Sequence, residues 1–166
     1  MRFGQQLAAS GIALVYGGGH VGLMGIVADA VLASGGEVIG VMPRHLIERE
    51  VDHKGLTQFH AVETMHERKM MMSTLADAFV LLPGGIGSWE EFCEAVTWAQ
   101  LGIHRKPCGI LNVEGYYDSL ISLVTRAVSD GFMRAPHWEM ITIDHNPESL
   151  LTNLRNARTE IEVKWT

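Results

Sequence analysis

The strongest constraint on this chain is an alternation: short apolar runs trade places with stretches of helical period from one end to the other. Residues 12–16 form an apolar run stopped by Gly17-Gly18-Gly19. Residues 22–34 then carry Ile26, Val27, Val31 and Leu32 at helical spacing before Gly35-Gly36. The same reading predicts strands at 37–42, 58–62, 79–82, 108–112 and 140–143. It predicts helices at 64–75, 88–101, 116–129 and 147–158, the first opened by a T-x-x-E capping box, Thr64 to Glu67. Residues 44–55, polar and without a period, read as the longest loop. Strands that alternate with helices imply a parallel sheet covered on both faces. The expected fold is α/β, a single-domain three-layer sandwich over residues 1–166. Residues 1–9 read as a helix feeding straight into a strand, so an initial strand is expected to precede this start.

Composition narrows the partners. A chain of 166 residues, 47% hydrophobic and 19% charged, is long enough for one buried core and short for two. A formal net charge of −6 disfavours nucleic acid, whose binding draws on a Lys/Arg surplus. A small anion remains compatible, because a few cations and backbone N–H groups hold a phosphate on an acidic protein. Cys93 and Cys108 make no CxxC pair and no disulfide framework. No run approaches the roughly 20 apolar residues of a membrane span, and residues 1–9 lack a signal peptide's apolar core. A cytoplasmic protein with neither membrane nor nucleic-acid partner is expected.

Two glycine loops follow strands and precede helices. Gly17-Gly18-Gly19-His20-Val21-Gly22 satisfies G-x-G-x-x-G, but no carboxylate stands about 20 residues on to hold a ribose, which disfavours NAD and leaves NADP only the weak support of Arg44. The other reading of these glycines is a tight turn. Pro83-Gly84-Gly85-Ile86-Gly87-Ser88 is no Walker A loop, since no Lys-Ser/Thr pair ends it. Its N–H groups, the helix dipole and the Ser88 hydroxyl, read as a helix cap, suit a phosphate.

Charges flank both features. Arg68 and Lys69 oppose the dipole of the helix they open, so they are either solvated cations offset by Glu67 or neighbours of an anionic ligand. Glu90 and Glu91, read into the first turn after the second loop, either compensate a dipole or face a sugar. Together these groups suggest a sugar phosphate. The eight histidines show no metal-ligand spacing and there is no G-x-S-x-G elbow, so neither a metal nor a serine nucleophile is expected. Trp98, Leu101 and Ile103 make one helix end more apolar than a solvated terminus, which suggests a symmetric dimer.

The second loop resembles the P-G-G-x-G-T-x-x-E motif of the LOG ("lonely guy") family, often labelled lysine decarboxylase-like. It stands here as Pro83 to Glu91 with Ser88 in place of Thr. Tyr16-Gly17-Gly18-Gly19 with Val21 to Gly25, Met65-His66-Glu67-Arg68-Lys69, residues 97–102, and Leu111-Asn112 with Gly115-Tyr116-Tyr117 extend the resemblance along the chain. It implies a Rossmann-like homodimer without cofactor that hydrolyses the N-glycosidic bond of AMP or cytokinin riboside 5′-monophosphates, giving free base and ribose 5-phosphate. It also implies that Arg68 and Glu91 are the catalytic pair. The substrate positions it implies are Glu50, Arg68, Lys69, Gly84, Gly85, Ile86, Gly87, Ser88, Trp89, Glu90, Glu91 and Thr97, with Gly18 and Gly19 of the first loop. The family's usual first strand, ending in a Cys-Gly-Ser-Ser-like turn, has no counterpart in this sequence.

The implied chemistry is coherent. Departure of adenine builds oxocarbenium charge on the ribose, which a carboxylate stabilises. A decarboxylase would need a Schiff-base lysine for pyridoxal phosphate. Of Lys54, Lys69, Lys106 and Lys164 only Lys69 lies near the motifs, and it already has an anion to bind. The rival from another class is a non-catalytic nucleotide carrier or sensor, which needs the glycine cradle but not the Arg68/Glu91 pair.

Overall fold

The computed structural model describes residues 2–47 and 53–157. Helix α1 (Arg2–Ala9) leads to β1 (Leu14–Tyr16), α2 (Leu23–Ala33), β2 (Val38–Pro43), α3 (Arg44–Ile47), β3 (Gln58–Val62) and α4 (Met65–Leu75). Then come β4 (Phe79–Leu81), α5 (Ile86–Gln100), β5 (Cys108–Leu111), α6 (Asp118–Ser129), α7 (Ala135–Glu139), β6 (Ile141–Asp144) and α8 (Pro147–Asn156). They group into two compact units, Met1–Ala76 and Asp77–Thr166. Each unit holds a three-stranded sheet, β1-β2-β3 in the first and β4-β5-β6 in the second, and every pairing is parallel. The α/β class and the parallel strands are as the periodicity predicts.

The middle strand of each sheet explains why. Residues Gly40 to Pro43 of β2 and Cys108 to Leu111 of β5 are buried without a break. Neighbouring residues on a strand point to opposite faces, so an unbroken buried run means that both faces are covered. Val38, Val41 and Met42 are 0% exposed, each burial contributing about 1.5–3 kcal/mol. In the second unit Leu81, Phe92, Val96, Cys108, Ile110 and Tyr117 form one cluster. Leu150 and Leu154 of α8 close over Gly109 of β5.

Several boundaries differ from expectation. Residues 44–47, read as loop, make a helical turn, and Arg44 there pairs with Glu63 at 2.8 Å. Helix α5 begins at Ile86 rather than Ser88, because Gly87 takes helical backbone while Gly85 stays extended as the N-cap. A 3₁₀ turn, Val113–Gly115, precedes α6, and α7 was illegible because five residues carry no helical period. No helix among the described residues is long and apolar enough to cross a membrane.

Burial pushes the Cys108 thiol up to about 12, and the Cys93 thiol, on the outer side of α5, is raised by partial burial and by the Glu90 charge. Iodoacetamide at pH 8 should therefore add slowly to Cys93 and leave Cys108 untouched until denaturant is present. Intact-mass spectrometry reads the stoichiometry, and two additions to the folded protein would contradict the packing of β5.

Candidate functional site

In the first unit the chemistry gathers where β1 and β3 end. Thr64 caps α4, its Oγ1 accepting the Glu67 N–H at 3.1 Å. The Glu67 carboxylate accepts the Glu63 N–H at 2.8 Å rather than that of Thr64, which moves the return bond of the capping box one residue outward. Arg68, one residue further on, is only 7% exposed. Its Nη1 lies 3.8 Å from the Met65 sulfur, and its buried Nε has no partner. The guanidinium rests on Gly17, where a Cβ would collide with Nη2. Within its own unit Arg68 pairs with no described carboxylate. The expectation of a solvated cation offset by Glu67 therefore fails here. A buried guanidinium is costly unless an anion meets it, and no described carboxylate of its own unit does. Lys69 is half-buried. Gly18 and Gly19 are buried, and the Gly18 carbonyl accepts the His53 N–H at 3.1 Å, so this loop is packed as well as turned.

His20, Asp29 and His53 each place a possible ligand atom within 4.8 Å of the others, a grouping invisible in the sequence because no motif links them. The Gly55 N–H donates to His53 Nδ1 at 3.2 Å, which leaves the ring proton on Nε2, 2.9 Å from Asp29 Oδ1. A metal on Nε2 would need the opposite tautomer. The arrangement is a hydrogen-bonded His–Asp pair, with the His20 ring 4.9 Å from that of His53. Tyr16, at the end of β1, is pushed up to about 12 by burial and the Asp29 charge, and so stays a neutral phenol.

In the second unit the loop leaves β4, and Gly85 stands at the N-cap of α5 with no side chain closing the helix. Ser88, the expected cap, lies inside the first turn and folds onto Gly84, where a Cβ would collide with its Oγ. The Trp89 N–H reaches the Gly85 carbonyl at 3.2 Å. The N–H groups of Gly85, Ile86, Gly87 and Ser88 are thus the ones a helix start leaves without an internal acceptor. The Gly84 N–H lies before the N-cap and is not among them. Space beside Gly85 and Gly87 is open.

The earlier helix start also takes Glu90 and Glu91 out of the first turn, where the sequence reading put them. Dipole compensation fades beyond that turn and no longer accounts for them. Glu90 is exposed and Glu91 half-buried. Adjacent helical residues project about 100° apart, so the two serve different surroundings. Trp89 and Ile86 are exposed beside the cradle. Thr97 lies about 16 Å along α5 from the loop, and its hydroxyl donates to the Cys93 carbonyl at 2.7 Å. Glu50 lies outside the described residues. Two tyrosines to which the sequence reading assigned no role reach the loop: Tyr116 Oη donates to the Gly84 carbonyl at 3.0 Å and Tyr117 Oη to the Leu82 carbonyl at 2.6 Å.

The family described as "possible lysine decarboxylase" matches residues 24–154. The chain is 47% identical to cytokinin riboside 5′-monophosphate phosphoribohydrolase LOG of Oryza sativa subsp. japonica, over 98% of this chain and 67% of that protein. It is 45% identical to cytokinin riboside 5′-monophosphate phosphoribohydrolase LOG7 of Arabidopsis thaliana, over 98% of this chain and 75% of that protein. A solved structure, the molybdenum cofactor binding protein of Rippkaea orientalis, superposes with a TM-score of 0.67 at 19% identity, covering 93% of this chain and 83% of its own. That likeness is one of fold.

The contact between Gly17 and Arg68 generates a direct test. Gly17→Ala puts a methyl group where Nη2 lies, and because the end of a long side chain can move, the melting temperature should fall by only a few degrees. Calorimetric titration with AMP should show affinity weakened several-fold. Unchanged affinity would separate this guanidinium from binding.

Proposed function

This chain belongs to the LOG family of cytokinin riboside 5′-monophosphate phosphoribohydrolases, and from that premise we propose how its own residues divide the work. The reaction is hydrolysis of the N-glycosidic bond of a nucleoside 5′-monophosphate, releasing the base and ribose 5-phosphate. Arg68 and Glu91 are the catalytic pair in this reading. The observation that carries it is the burial of Arg68 with an unpartnered Nε, a cation set where only an anion repays its desolvation. Lys69 and the N–H groups of Gly85 to Ser88 are each suited to a phosphate. Glu91 faces the ribose, where a carboxylate stabilises the developing oxocarbenium and orients water. AMP and N6-substituted adenosine monophosphates are the substrates, and no cofactor takes part.

We also propose a cytoplasmic homodimer. Free cysteines suit a reducing compartment. Leu101 and Ile103, 39% and 62% exposed at the end of α5, supply apolar surface for a second copy. Light scattering at micromolar concentration should give twice the 18.3 kDa chain mass. A monomer would remove this part of the reading.

The catalytic assignment is tested by base release from AMP and isopentenyladenosine monophosphate. Glu91→Gln should fold and bind AMP yet lose on the order of a hundredfold or more in rate, the usual cost of one electrostatic contact in a sheltered site. Glu90→Gln should retain far more activity. Arg68→Ala should lose activity together with nucleotide affinity. Glu91→Gln turning over within a few-fold of the parent would withdraw the catalytic claim.

A further inference from the structure

We infer that Tyr116 and Tyr117 are positioning residues for this hydrolysis, holding the Gly84 and Leu82 carbonyls so that the N–H groups from Gly85 onward are aimed at the substrate phosphate. The inference rests on the reading of the glycine loop as a phosphate cradle. The Gly84 carbonyl and the Gly85 N–H belong to one trans peptide plane and point in opposite directions. Tyr116, by taking the carbonyl at 3.0 Å, turns the Gly85 N–H to the other side. Tyr117 holds the Leu82 carbonyl two residues earlier, which fixes the peptide plane entering Pro83, a residue with no N–H of its own to anchor it.

The two tyrosines are themselves held. Tyr117 is 1% exposed, and its N–H donates to Asn112 Oδ1 at 2.8 Å. Asn112, 2% exposed, donates from Nδ2 to Asp118 at 2.7 Å and from its backbone to the Asp144 carbonyl at 2.8 Å. The chain reaches the tyrosines through Glu114, a non-glycine residue at φ 51°, a conformation that persists only where the surroundings enforce it. The rings meet edge to face, centroids 4.9 Å apart. Burial raises the Tyr117 pKa, while the Trp89 indole N–H and the Gly84 N–H facing its oxygen hold it down. The Tyr117 phenol thus fixes the end of β4 where the loop leaves it, and the Tyr116 phenol fixes the loop itself.

The test uses Tyr116→Phe and Tyr117→Phe in the full chain, with AMP turnover and titration of inorganic phosphate. Each variant should raise KM for AMP and weaken phosphate binding about three- to tenfold, the size of one lost hydrogen bond, with kcat within twofold. Adenosine, which lacks the phosphate, should be bound equally by parent and variants. Lowered melting temperature with unchanged KM and phosphate affinity would overturn the inference, since that is what a merely structural pair would show. Should Tyr117→Phe fail to fold, exposed Tyr116→Phe decides alone. Weakened phosphate binding alongside a fully active Glu91→Gln would uphold the positioning role while removing Glu91 from catalysis.

Discussion

A parallel strand buried on both faces has nowhere to put polar chemistry except its ends. In β2 and β5 the unbroken buried runs Gly40 to Pro43 and Cys108 to Leu111 exclude charged side chains from the middle of each sheet. Every polar group of consequence is displaced to the carboxyl ends: Gly17 after β1, Thr64 and Arg68 after β3, the glycine loop after β4, Asn112 to Tyr117 after β5. Within each unit, helices that start there bring unbonded N–H groups and a positive dipole end to that sheet's edge. The placement of these polar groups is therefore a consequence of how the cores are built.

Electrostatics sharpens this. A cation in the first turn of a helix is unfavourable by several tenths of a kcal/mol, and burying it adds more. Arg68 accepts both penalties, while Glu67, which could relieve them, is turned to the backbone of Glu63. The carboxylates of α5 show the complementary pattern. Past the first turn, Glu91 gains little from the dipole and is half-buried nonetheless. A cation placed against its local electrostatic interest, as Arg68 is, is one whose position a ligand explains well.

Much of this was legible in one dimension. Apolar periodicity marks β3 at Gln58–Val62 and the helix opened by Thr64, because each depends on neighbours within a turn or a strand. The glycine motifs are likewise readable, since their residue types and spacing are local, whereas the pairing of Arg68 with Glu91 comes from the family resemblance. The start of α5 was misread at Ser88, because a glycine is as silent about the first turn of a helix as about a loop. The short α7 left no periodic trace.

What the sequence determined by itself is the alternation of the six strands with the longer helices, the parallel class and the identity of the two glycine loops. These follow from side-chain periodicity and from the few residues that permit a turn. Only the tertiary structure decided that Arg68 is buried against Gly17, that His53 is tied by Gly55 and Asp29 as a hydrogen-bonded pair, and that Tyr116 and Tyr117 hold carbonyls 32 and 35 residues before them. Such contacts join residues distant in the chain, and no local propensity encodes them. They exist because packing the strands side by side brings their carboxyl ends together.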